Sequence, residues 1–165
     1  MDSLLQGVGV FIGIVAGVII TILVQTYRAW RSEKQTLKNL EFEISLNVRR
    51  IDDWLEESNK WRNAVNSDSL QTYNGYFDLS KALFATANSM LATGSLYRHL
   101  DRDDIASLQL AGADLNANVQ LLMNNHILYD KANFVKQDAA IHVDFWENKF
   151  KEHKANMQAI ARKLK

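Results

Sequence analysis

The chain has 165 residues, 19 basic and 19 acidic side chains, no cysteine and no proline. The charge balance excludes a bulk nucleic-acid binder, so any polyanion site must be local. The missing cysteines exclude a disulfide framework and a thiolate site. Glycine outside the amino-terminal apolar run occurs only at 75, 94 and 112, so little interrupts a helical pattern and an all-α fold is expected.

The first element is the run "LLQGVGVFIGIVAGVIITILVQ". From Leu4 to Val24 it holds no Asp, Glu, Lys or Arg, and roughly 20 such residues span a hydrocarbon core. A single transmembrane helix over residues 1–26 is therefore predicted, with a helical bundle over 27–165. A cleaved signal peptide, the rival, needs a basic region before a shorter apolar one, and only Asp2 is charged ahead of Arg28. Arg28, Arg31, Lys34 and Lys38 follow the run and predict a cytoplasmic bundle with the amino terminus outside. Tyr27 and Trp30 suit a headgroup belt. Gln6, Gly9, Gly13, Gly17, Thr21 and Gln25 form a small-or-polar ridge, and Phe11, Ile14, Val18 and Ile22 take the other side. Close packing through small residues drives association in lipid, so the ridge is expected to line a homo-oligomer, with a tetramer around a narrow pore as the simplest closed ring.

From about Tyr27 to Val65, Leu37, Leu40, Ile44, Val48, Ile51, Leu55 and Trp61 recur in steps of three and four and predict one long amphipathic helix. The stretch "NSDSLQTYNGYFD" reads as a loop, with a hairpin at Asn74-Gly75 as the alternative. A helix is expected from near Asp78 to Gly94, whose glycine suits a left-handed cap. Asp101 is the expected N-cap of the next helix, with Asp103 and Asp104 against its dipole. Ile105, Leu108, Gly112, Leu115, Val119, Leu122, His126 and Tyr129 then follow heptad spacing. Val143, Trp146, Phe150, His153, Met157, Ile160 and Leu164 mark the last helix. About four such helices would bury these stripes as a bundle.

No metalloprotease, P-loop, dinucleotide or nucleophile-elbow motif is present, so no enzyme, cofactor or metal site is expected. The four histidines stand apart in sequence, and His126 and His153 fall at core positions. Asp52, Asp53, Glu56 and Glu57 read as a solvated face. Two places combine positive charge with aromatic or amide partners for a phosphate-bearing ligand. The first, preferred for its compactness, is the turn with Tyr97, Arg98, His99 and Arg102. The second is the final helix, with Lys149, Lys151, Lys154, Arg162 and Lys163 near Trp146 and His153.

The order of parts, a charge-free run, a long helix bearing "LEFEISLNVRRIDDWLEE" and a later "LFATANSMLATGSLYRHLDRDDIASL", resembles the small single-span helical-bundle effectors of bacterial anti-phage defence loci of the Hailong type. The resemblance implies an oligomeric inner-membrane ion channel, closed at rest with a nucleotidyltransferase partner and opened by a short oligodeoxyadenylate. A hydrophobic constriction that gates by dewetting is consistent with that reading. The alternative is a membrane-tethered scaffold whose bundle recruits a cytoplasmic partner.

Overall fold

The computed structural model describes residues 2–164, with side chains described from position 14 onward. Among the described residues every regular element is helical: α1 (Asp2–Asn66), α2 (Ala85–Ala92), α3 (Arg102–Asp114), α4 (Ala117–Ala132) and α5 (Lys136–Lys163), with short 3-10 turns at Leu70–Thr72, Leu79–Lys81 and Ser95–Arg98. The chain divides into two compact units, Met1–Asn39 and Leu40–Lys165.

In the second unit, the α1 residues Leu40, Ile44, Ile51, Trp54, Trp61 and Val65 are buried at helical spacing. They meet the α5 row Val143, Trp146, Phe150, Met157 and Ile160, also buried. Aromatic rings join these elements: Phe150 lies 5.7 Å from Trp54 and 6.1 Å from Phe77, which lies 6.2 Å from Trp61. Helix α1 ends because Asp68 adopts φ 54°. Ser69 N then donates to Ala64 O at 2.9 Å and Asp68 N to Val65 O at 3.3 Å, the wrap-around that closes a helix on a left-handed residue. Lys136 Nζ donates to Asn66 O at 2.6 Å and pairs with Asp68 at 3.1 Å, which brings the start of α5 to the end of α1.

The segment expected as a loop is one, and no strand occurs among the described residues, so the alternative hairpin at Asn74-Gly75 does not form; the stretch lays Phe77 and Leu79 into the core. One expectation is corrected in the middle of the chain. The helix expected from Asp78 starts at Ala85, because α1 holds the preceding backbone. The buried Asn47 side chain donates to Leu83 O at 2.6 Å and accepts from Leu83 N at 2.9 Å. The buried Glu43 carboxylate accepts from Thr86 N at 2.8 Å and Ala87 N at 3.2 Å, and so caps α2 from outside its own sequence. The expected left-handed glycine is at Gly94, with φ 72°. Asp101 caps α3 through Asp104 N at 2.9 Å.

The transmembrane helix expected over 1–26 is also corrected. No helix among the described residues is long and apolar enough to cross a membrane. Of the expected span, side chains are described from Ile14 onward. The other part of the expected span, with Gln6, Gly9 and Gly13, lies outside the described side chains. Placement in an inner membrane, the orientation and the ion channel depend on that span and are withdrawn with it.

Candidate interaction surface

The heptad pattern from Ile105 to Tyr129 predicts one continuous stripe, but the helix breaks in its middle. Asn116 is extended at φ −146°, ψ 173°. Its Oδ1 accepts from Asn118 N at 2.8 Å and Val119 N at 3.1 Å, while its Nδ2 donates to Ala113 O at 2.6 Å. One amide thereby satisfies the last turn of α3 and the first turn of α4.

The break changes which face of α4 turns inward. Met123, Ile127 and Asp130 are buried, whereas Leu122 and Tyr129, expected in the core, are exposed. With Leu121 and Leu128 they form an outward apolar row, at 63% exposure for Leu121, 50% for Leu122, 62% for Leu128 and 60% for Tyr129. Spacings of one, six and seven residues place the row on one side of the helix. On α5, Ile141 and Phe145 are also exposed, one turn apart.

A polar seam fixes α4 and the end of α3 against α5. Asp130, only 2% exposed, accepts from His142 Nδ1 at 2.9 and 3.0 Å. The His142 ring stacks on His126 at 4.5 Å, and His126 Nδ1 accepts from Trp146 Nε1 at 3.2 Å. Accepting at Nδ1 requires the neutral ring. Burial, then the neighbouring His142, lower the His126 pKa below its ordinary value, against an opposing pull from Asp130. Farther along α5, His153 Nε2 and Lys149 Nζ both reach Asp114, at 3.0 and 2.7 Å. The core position expected for His153 is confirmed by its burial. The pairing of His126 with His142 was not visible in the sequence, where they stand sixteen positions apart. No group of metal-ligating side chains occurs among the described residues.

The preferred ligand turn is present as a local feature. Tyr97 and Arg98 lie on a 3-10 turn, His99 follows it, and Arg102 opens α3. Tyr97, Arg98 and Arg102 are exposed, and Arg98 and His99 are engaged with neighbouring groups. Asp101, Asp103 and Asp104 share this turn, and Lys163 holds Asp101 at 2.8 Å and Asp104 at 2.7 Å. The turn is thus of mixed charge. At the second place Trp146 and His153 are buried and present no face to a base. Of the ridge, Gly17, Thr21 and Gln25 are exposed, and Thr21 Oγ1 donates to Gly17 O at 2.8 Å.

Comparison with known protein families, curated proteins and solved structures gives no match.

Proposed function

We propose that this chain is a self-assembling helical scaffold, in which copies pack through the outward face of α4 and leave other surfaces for a partner protein. The observation that supports it is the row Leu121, Leu122, Leu128 and Tyr129, exposed beside a well-filled core. Large apolar side chains gathered on one helix face favour burial against another helix. Each is worth roughly 1.5–3 kcal/mol when removed from water. The occupant is a second copy, because α4 presents a one-sided stripe of the kind that packs on an equivalent stripe about a two-fold axis. The polar seam beneath the row holds α4 in place without contributing to the contact.

Native mass spectrometry of the full chain tests this reading. The wild type is expected as an oligomer, and the double substitution Leu121→Lys with Leu128→Lys is expected to lower its order while leaving helix content unchanged. A wild type that is monomeric throughout, or a double variant with the wild-type mass, would reject the α4 face as the contact.

A further inference from the structure

Helix α5 carries six basic residues, and the structure pairs five of them. Lys136 holds Asp68, Lys149 holds Asp114, Lys151 holds Glu147, Lys154 holds Asp52, and Lys163 holds Asp101 and Asp104. Arg162 has no carboxylate partner among the described residues. It lines a cleft of about 310 Å³ with Ser45, Val48, Arg49, Gln158 and Ala161. Arg49, from α1, likewise has no ion pair among the described residues. Asp52, one turn farther along α1, is engaged by Lys154 at 2.5 Å.

The cleft is therefore lined by two arginines and by no acidic residue, in a chain of zero formal net charge. Its neutral lining adds a hydroxyl from Ser45 and an amide from Gln158, both able to donate. Each guanidinium is a planar fork of N–H donors that matches two oxygens of a phosphate. No aromatic side chain lines the cleft, so nothing there stacks on a base, and the anionic group itself is what the lining can recognise.

We infer that the Arg49–Arg162 cleft binds the terminal phosphate of a soluble phosphorylated ligand, a phosphomonoester or diphosphate whose remainder stays in solvent. The site does not depend on the α4 face, and its occupancy is independent of self-assembly.

Calorimetry of the full chain with pyrophosphate and with inorganic phosphate tests it. The wild type binds, more tightly at low salt. Arg49→Gln and Arg162→Gln each weaken binding about tenfold, as expected for one charged hydrogen-bonding partner, and together remove measurable binding. Both side chains are exposed, so circular dichroism of the double variant stays that of the wild type. Replacing both arginines by lysine keeps the charge, loses the fork and gives intermediate affinity. Arg102→Gln, at the mixed-charge turn, leaves affinity unchanged. Absence of wild-type binding at millimolar pyrophosphate, equal affinity in the Gln double variant, wild-type affinity in the Lys pair, or an equal loss in Arg102→Gln would overturn the assignment. Phosphatidylcholine vesicles containing phosphatidic acid form a second arm. Binding to these vesicles, with none to free pyrophosphate, would identify a lipid phosphate as the ligand and overturn the soluble one.

Discussion

Two glycines look alike in the sequence, and the structure gives them opposite roles. At Gly75 an added methyl would run into the Tyr73 hydroxyl and the Glu57 carboxylate, two groups already hydrogen-bonded at 2.9 Å. At Gly112, inside α3, the same methyl would rest 3.6 Å from the Phe84 ring, an ordinary contact. Gly75→Ala is therefore expected to lower stability by about 1–3 kcal/mol through overpacking. Gly112→Ala is expected to raise it by about 0.5–1 kcal/mol through the stiffer unfolded chain. Chemical denaturation of both variants gives the two signs. His126 supplies a pH dependence. Its folded pKa lies below the ordinary histidine value because burial and His142 disfavour the charged ring. The folded state thus binds fewer protons at this position than the unfolded chain, and the associated stability is present above about pH 6.5 and lost as pH falls through the folded value. In His126→Gln that part of the acid destabilisation should disappear. An NMR titration that placed the His126 midpoint above 6.5 would contradict the assignment. The clustering of His126, His142, Asp130 and Trp146 was hidden in the sequence because a histidine's partner depends on how two helices are rotated, and spacing along one helix carries no record of that.

Among elements, α5 and α4 show when periodicity can be trusted. In α5 the stripe from Val143 to Ile160 is buried throughout, since nothing in 28 residues resets the helical phase. In α4 the reading fails at Leu122 and Tyr129, because one extended residue, Asn116, ends one helix and begins another on a different face. Asparagine ahead of a helix is a recognisable cap signal, but the heptad pattern running through it masked the break. Asn116→Ala is expected to cost about 1–2 kcal/mol, the usual loss on removing a side-chain cap, and to weaken protection of the Asn118 and Val119 amides first. Hydrogen exchange that left those two amides as protected as in the wild type would show that the break is held by something other than the Asn116 side chain. The first long helix was legible in its inward row and its end near Val65. Its buried polar residues Glu43, Asn47 and Ser58 were not, since polar side chains on an amphipathic helix are normally assigned to water.

For the whole molecule, the division at Asn39 and Leu40 leaves the aromatic core, the polar seam and the α4 face all inside the second unit. A fragment of residues 40–165 is expected to unfold cooperatively and to keep the self-association of the full chain. A fragment that is folded but monomeric, when the full chain is not, would move the contact into residues 1–39. Gly17→Leu in the full chain separates the cases further: a Cβ added there meets nothing within 4 Å, so a change in oligomer order would point to contact with another copy. The anion cleft shows why functional sites are harder to read than folds: Arg162 sits in a basic run that looks uniform, and only the three-dimensional pairing of its neighbours singles it out. The clamp of Asn47 and Glu43 on the backbone of Leu83, Thr86 and Ala87 also bears on the order of folding. An eight-residue helix is too short to persist alone, and the groups that cap it lie 36 to 44 residues earlier in the chain. Helix α2 should therefore be a late arrival, closing a long loop onto an α1 that already exists, so that weakening the clamp accelerates unfolding and leaves the refolding rate nearly untouched.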